Sequence, residues 1–528
     1  MLILSPDQIR RAEQRVFGDL GLPPALVMDT AGRAIAQEIH KRLGDGNGRW
    51  LTVLAGVGNN GGDGLVVARV LAARGYRAEV FLVGDPGKMT PETRLHCEAA
   101  RRHGGVEFRS VREAPRGPEL QGLRRSLGRS AAIVDALTGI GLQGDLRDPV
   151  RTVASQLDGR YRALTVAADV PSGLCAATGR VLGAACKCHV VVTMAAAKPG
   201  LLLGQGPLHW QELAVADIGV PPSWLAAEQP AGALLHDADA ATWLPARPDD
   251  GHKGTFGHAF VVAGSPGKGG AAILCAGAAL RSGVGLVTLG TSGEIRQRLE
   301  GSIPDVMVEA VRGGASEAKR IEKLVQGKTA LVVGPGLGTG AAEVDLVQRL
   351  CAAATCPVVL DADALTILAG KPEAADAARD RLVLTPHPGE MARLIGTDIA
   401  AVEADRMAAA VAASRKWRAV VVLKGERTLV VAPDGPWAIC NQPNAALAKA
   451  GSGDVLAGVL GSLCAQGLGP FEAARLAVHL HSKAGQLLRN RWGARGGIAS
   501  DLLGCVSAAL AALQGVPVPE LVPAEVER

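Results

Sequence analysis

Between residues 50 and 200 short, almost wholly apolar runs alternate with longer amphipathic ones. "LTVLAG", "AEVFLVG", "AAIVDAL", "ALTVAADVP" and "HVVVTMA" have no polar face. Strands of that kind belong to a parallel sheet covered on both sides. The runs between them carry helical spacing, so the pattern predicts a doubly wound α/β unit. Two helices precede it. "SPDQIRRAEQRVF" starts with Ser5 before Pro6, which reads as a capped N-terminus. "PALVMDTAGRAIAQEIHKRL" reads as the second. From about Ala214 the texture changes to Pro, Ala and Asp, which marks a partly structured linker over residues 221–250. A second α/β series follows, with strands in "HAFVVAGS", "GLVTLG", "ALVVGPGLG", "PVVLDADAL", "RLVLTPHPGE", "AVVVLKG" and "TLVVAPDG". From Ala445 to about Leu513 the chain is almost all helix-forming. The reading is two domains, residues 1–220 and 251–516, with a loose tail over 517–528. The first is a Rossmann-like doubly wound sheet.

Composition narrows the classes. A chain of 528 residues exceeds one ordinary core, and 48% apolar against 20% charged residues excludes a disordered chain. The net charge of +5 is small for this length, and no basic stripe interleaves with aromatics. No nucleic-acid partner is therefore expected. Ten cysteines are scattered, and the sole close pair, Cys186 and Cys188, has C-x-C spacing. No structural zinc is expected, and reduced thiols in the cytoplasm fit best. The N-terminus is no signal peptide, and no apolar run is an expected membrane span.

Chemistry concentrates at the ends of the apolar runs. In "AGVGNNGGDG", Gly56, Gly58 and Gly61 spell G-x-G-x-x-G, the dinucleotide fingerprint. A dehydrogenase would then carry a carboxylate at the next strand end, but Asp85 comes too late. The letters around the glycines say more. Asn59, Asn60 and Asp63 add oxygen groups at a helix start. Asp135 and Ser172 close two later strands, and Asn60, Asp135 and Ser172 could ring a hard cation. Asp169 is left as an acid/base.

"NNGGDGLVVARVL", "DALTGIGLQGD" and "DVPSGL", in that order, resemble the epimerase domain of the NAD(P)H-hydrate repair enzymes, and "LVMDTAGRAIA" is similar to its opening segment. The resemblance implies interconversion of the R and S hydrates of NADH and NADPH (NADHX and NADPHX). It implies that Asn59, Asn60, Gly61, Gly62 and Asp63, with Gly139, Ile140, Gly141, Leu142, Gln143, Gly144 and Asp145, hold the ligand. It implies K⁺ at Asn60, Asp135 and Ser172, and Asp169 at the reacting end. Some members carry Lys where this chain has Gln143.

In the second half, "AGSGDVLAG" sets Gly451, Gly453 and Asp454 before a helix, where backbone N–H groups make an anion hole. A carboxylate there could deprotonate a hydroxyl as phosphate transfers to it. "VVLKGERTLVV" reads as strand–turn–strand with Lys424 and Thr428 toward a phosphate, and "LTPHPGEM" puts His387 and Glu390 at a strand end. With "HKGTFGHAFVVAGS", "AALRSGVGLV", "GPGLG" and "LDADAL", these segments resemble the NAD(P)H-hydrate dehydratase branch of the ribokinase-like superfamily. The resemblance implies that Ala271, Gly336, His387 and Asp454 contact the S hydrate. Lys424, Gly425, Glu426, Arg427, Thr428 and Gly453 would hold ADP or ATP with Mg²⁺. Phosphorylated hydroxyl then leaves as phosphate, and ADP gives AMP. Asn444-Ala445-Ala446 and Lys449 depart from the family pattern.

The reading is a bifunctional repair enzyme, cytoplasmic and homo-oligomeric, with small-molecule substrates. Two rivals stay open at this point. One is a ribokinase-like vitamin-precursor kinase, which would release a stable phosphorylated product. The other is an N-terminal domain that binds nucleotide or partner without catalysis.

Overall fold

The computed structural model describes residues 1–229, 232–433, 435–440 and 443–516. The tail read over residues 517–528 lies outside them. The chain forms two compact units, Met1–Ala231 and Gly232–Arg528. The boundary falls inside the stretch read as linker, whose described part holds a short helix, Pro222–Ala227, a strand and a second short helix, Asp237–Thr242.

The first unit contains β1 (Leu2–Ile3), β2 (Trp50–Ala55), β3 (Arg77–Val83), β4 (Val106–Val111), β5 (Ala132–Ala136), β6 (Leu164–Ala168), β7 (Val190–Met194) and β8 (Glu212–Ala216). Seven of them make one sheet in the order β4-β3-β2-β5-β6-β7-β8. Every pair is parallel. The apolar runs are strands because both faces are covered. Val53, Ala55, Val134, Ala136, Val166 and Ala168 pack with Ile9, Val16, Ile35, Ile39 and Leu65 from the helices. Strand order reverses between β2 and β5, and ligands bind outside the carboxyl ends of strands at such a reversal. Both glycine-rich loops, after β2 and after β5, open there.

The glycine fingerprint has a packing cause. A Cβ on Gly61 would lie 1.9 Å from the Gly56 carbonyl oxygen, and one on Gly56 would lie 2.1 Å from the Leu137 carbonyl oxygen. The β2 turn closes on itself and on the neighbouring loop, so neither position admits a side chain. A Cβ on Gly58 would meet nothing within 4 Å.

The second unit contains β9 (Gly232–Leu234), β10 (His258–Val262), β11 (Leu286–Thr291), β12 (Met307–Ala310), β13 (Ala330–Val333), β14 (Val358–Leu360), β15 (Leu382–Leu384), β16 (Val420–Leu423), β17 (Leu429–Val431) and β18 (Trp437–Ile439). Their order is β9-β18-β17-β16-β15-β14-β13-β10-β11-β12. From β12 to β16 the pairs are parallel. The run "VVLKGERTLVV" is an antiparallel hairpin in which Leu423 faces Leu429, and β18 extends it. Val261, Val332, Val359, Val383 and Val422 pack against the helices Gly269–Arg281 and Ser452–Ala465 through Ala272, Ala276, Val455 and Val459. Strand order reverses between β10 and β13, which sets the second crevice. No described helix is long and apolar enough to cross a membrane.

Candidate active sites

In the first unit a cavity of about 850 Å³ opens at the carboxyl ends of β2 and β5. Asn59, Asn60 and Asp63 line it from the start of the helix Asn59–Ala72, and Gly139, Ile140, Gly141, Leu142 and Gln143 from the loop after β5. Asp169 lines it at the end of β6. Gly61 and Gly62 are buried in the helix and do not line it: Gly61 serves the close turn, and Gly62 packs against Met28 and Thr93. Gly144 and Asp145 are exposed beyond the lining.

Behind the lining, Asp135 is fully buried. It accepts the Ser172 hydroxyl at 2.5 Å and the Ser172 amide at 2.8 Å. The Ser172 hydroxyl also accepts the Thr138 amide at 2.9 Å, and Asn60 Nδ2 donates to the Thr138 carbonyl at 2.9 Å. Burial pushes the Asp135 carboxyl up, against the hydrogen bonds from Ser172 that pull it down. No Lys, Arg or His among the described residues pairs with it.

Asp169 sits at φ +65°, a left-handed conformation unusual for a non-glycine residue. The turn aims its carboxylate back across β7. There Oδ1 accepts Thr193 Oγ1 and the Met194 amide, each at 3.1 Å, and Lys198 Nζ at 2.5 Å. Lys198 is completely buried and also donates to Thr193 Oγ1 and the Met194 carbonyl. Sequence reasoning passed over Lys198. The available signal was a lone cation after an apolar strand, in "VVVTMAAAKPG", which must find a partner if buried.

Sequence reasoning also passed over Glu13. The helix Pro6–Gly18 buries Ile9, Ala12 and Val16 in the core, while Arg10, Glu13 and Phe17 line the cavity. The Ser5 cap forms with Gln8 as its reciprocal partner. Burial and then the nearby Asp169 push the Glu13 carboxyl up to about 7, with Lys198 and Arg10 pulling the other way. Burial, followed by Asp169 and Glu13, holds Asp63 well above the usual carboxylate range.

The second unit also has a cavity of about 850 Å³. His387, Lys424, Gly425, Glu426, Thr428 and Gly453 line it, as do Asn444, Ala445 and Lys449. Arg427 is buried away from it. Lys449 Nζ donates to the Arg495 carbonyl at 2.5 Å, so this cation ties down a helix end at the rim. Arg406, unnoticed in the sequence, braces the turn after β16 from beneath, donating to the Leu423 and Lys424 carbonyls at 3.2 Å. His387 caps the helix Pro388–Ile395, with Nδ1 accepting the Gly389 amide at 3.0 Å. In the neutral ring the proton therefore lies on Nε2.

Beside this cavity stands a charged cluster. Lys424 Nζ donates to Asp361 Oδ1 at 2.8 Å and lies 3.8 Å from Glu390. Lys268 donates to Asp363 at 2.9 Å. Ala362, between the two aspartates, has φ +49°. Gly336 and Ala271 pack together next to Lys268. Asp454 enters on the first turn of the helix Ser452–Ala465. Burial, then Asp361 and Asp363, raise it to about 6 against the pull of Lys424. Lys424 is itself raised, because Asp361 and Glu390 outweigh its burial. A carboxylate so poised can accept a hydroxyl proton near neutrality. Asp361 and Asp363 were legible as a motif but not as part of a charge network.

Comparison with known proteins decides the reading. The family described as "YjeF-related protein N-terminus" matches residues 25–200, and "NAD(P)H-hydrate dehydratase" matches 259–508. The bifunctional NAD(P)H-hydrate repair enzyme of Moorella thermoacetica is 36% identical over 95% of this chain and 95% of its own length. That of Salinibacter ruber is 38% identical over 95% and 94%. The chain belongs to the family of bifunctional NAD(P)H-hydrate repair enzymes. It is an NAD(P)H-hydrate epimerase in its first unit and an NAD(P)H-hydrate dehydratase in its second. The vitamin-kinase reading is not favoured, because the second half matches the dehydratase family and the relatives matched over nearly the whole chain are bifunctional repair enzymes. Among solved structures, an ADP/ATP-dependent NAD(P)H-hydrate dehydratase from Bacillus subtilis, co-crystallised with ATP and Mg²⁺, is 29% identical. It covers 53% of this chain and 98% of its own, with TM-score 0.47.

Proposed function

We propose that Asp169 is the acid/base of the epimerase and Asp454 the base of the dehydratase. Water added across the enamine of a dihydronicotinamide puts the new hydroxyl on the carbon beside the ring nitrogen. Epimerisation can then proceed by loss of that hydroxyl, as the nitrogen lone pair forms a C=N⁺ bond, and return of water to the other face. Asp169 exchanges the proton, and Lys198 holds its carboxylate in place. Asn59, Asn60 and Asp63 with the loop 139–143 hold the nucleotide. A raised Asp63 carboxyl donates a hydrogen bond.

The residues around Asp135 suit K⁺. Asn60, Ser172, the Thr138 carbonyl and Asp135 each carry an oxygen for a hard cation, and the buried carboxylate has no cationic partner among the described residues. These residues would hold K⁺, which would supply a positive charge to the buried carboxylate beside the loop after β5.

In the second unit, Asp454 takes the hydroxyl proton of the S hydrate as a phosphoryl group transfers to it. Hydroxide is a poor leaving group and phosphate a good one, so loss of phosphate restores NADH or NADPH. ADP is the donor, giving AMP. Lys424 and the backbone of Gly425, Glu426 and Thr428, with Gly453, meet its phosphates. Mg²⁺ comes with those phosphates, in keeping with its preference for one or two carboxylates plus phosphate oxygens. Among the described residues no group of three or more His, Cys, Asp and Glu forms a metal cage. Ala271, Gly336 and His387 face the ring. The free cysteines, most of them buried, suit a reducing cytoplasm; a homo-oligomer, checked by light scattering, completes the reading.

The observation that carries this reading is Asp454, raised to about 6 at a helix start beside the half-buried Lys424. The test is NADH recovery from mixed hydrates with Mg²⁺ and either ADP or ATP. Recovery of both isomers, faster with ADP, is expected; no recovery with either nucleotide overturns it.

A further inference from the structure

We infer that Glu13 is the second catalytic carboxyl of the epimerase, working on the face of the ring carbon opposite Asp169. This rests on the reading of Asp169 above. Inverting a carbinol carbon through a planar iminium needs proton chemistry on both faces. Oxygen leaves from one side and returns from the other. A lone carboxylate serves one face at a time.

The geometry supplies a second group. Glu13 and Asp169 line one cavity from separate elements, the helix Pro6–Gly18 and the end of β6. Asp169 is tied down by Lys198, Thr193 and the Met194 amide. Glu13 has no hydrogen bond or ion pair among the described residues, so its carboxyl is free to meet a ligand. Its helix is fixed. Ile9, Ala12 and Val16 are buried, and Arg10 donates to the Ile140 carbonyl at 3.0 Å, joining the helix to the ligand loop. Of the two further carboxyls in the wall, Asp63 and Glu92, burial holds Asp63 well above the usual carboxylate range.

The step balances. One carboxylic acid protonates the departing hydroxyl, the C–O bond breaks, and the nitrogen lone pair forms C=N⁺. Water then adds to the opposite face and gives its proton to the other carboxylate. Conversion of the opposite isomer exchanges the roles. In both directions the active state holds one proton between Glu13 and Asp169, and solvent resets it. The charged groups that face Glu13 are Arg10 on its own helix, Glu92, Asp63, Asp169 and Lys198. With Glu13 at about 7, the shared proton is lost, and the epimerase rate falls, as pH rises through that value.

The test follows R-hydrate conversion by the full chain, with the enzyme-free rate subtracted, in wild type, Glu13→Gln, Glu13→Asp and Asp169→Asn. S-hydrate dehydration by the same molecules reports folding. Glu13→Gln is expected to lower kcat about 10²-fold or more, the usual range for general acid–base catalysis, and to remove the high-pH limb. Glu13→Asp is expected to restore part of kcat with the limb present. A Glu13→Gln kcat within about threefold of wild type, a loss confined to KM, or a surviving limb overturns the inference. If Asp169→Asn loses activity while Glu13→Gln does not, Glu13 alone falls. If Asp169→Asn keeps the full rate, the reading of the site falls, and the inference with it.

Discussion

Both units gather carboxylates and a lysine at the carboxyl edge of a parallel sheet, and they use the lysine in opposite ways. In the first, Lys198 is sealed in the core and bonded to Asp169, the carboxylate proposed to react. In the second, Lys424 is bonded to Asp361, and Asp454 has no direct partner among the described residues. Epimerisation returns the group it removes, so its carboxylate must be held still while protons pass in both directions. Phosphoryl transfer uses a proton acceptor once per turnover, which fits the proposal that Lys424 meets the phosphates instead. One crevice architecture thus supports two proton economies.

The sharpest way to break the comparison is Asp454→Asn. It should lower S-hydrate dehydration by about 10²–10⁴-fold while the two isomers still interconvert, as read by separating them chromatographically. Removing the buried lysine comes next. Lys198→Met leaves Asp169 without its charge partner inside the fold and should destabilise the first unit by about 3–5 kcal/mol in denaturant unfolding. Asp169→Ala should slow R-hydrate use about 10²-fold, with S-hydrate use intact. If R is consumed at the wild-type rate above background, the first half of the comparison is wrong.

The pH profile separates the units further. The base proposed for the second unit, Asp454, has its carboxyl raised by burial to about 6. Dehydration should therefore fall toward acid below that value, approaching tenfold per unit for a single group. A flat profile from pH 5 to 8 would remove Asp454 from that role. The smallest effect is expected at Gly58, whose replacement by Ala should change unfolding stability by no more than about 0.5 kcal/mol. The same change at Gly61 should be severe, since the added carbon would meet a carbonyl oxygen.

The central strands were legible because burial on both faces makes each a continuous apolar run. β4, β9, β12 and β18 were not, since β4, at a sheet edge, alternates and the other three run only three or four residues. The residues proposed for the site were legible where they stand at a strand end or a glycine-marked helix start, as at Asn60, Asp135, Asp169 and Asp454. They were illegible where a partner comes from elsewhere. Lys198 lies 29 residues beyond Asp169, and only the β6–β7 pairing brings them together. Glu13 sits in a helix whose amphipathic pattern explains it fully as a solvated position. Nothing local says that its polar stripe faces a cavity.

The interlock of Gly56, Gly61 and Leu137 carries a lesson about sorting genomes. Two of the three glycines in the fingerprint encode a bend, and the third is free to vary without disturbing it. A search keyed to that spelling therefore groups proteins by how their chains turn a corner. Oxidoreductases and repair enzymes fall into the same bin, and the vocabulary that separates them is written in Asn60 and Asp63.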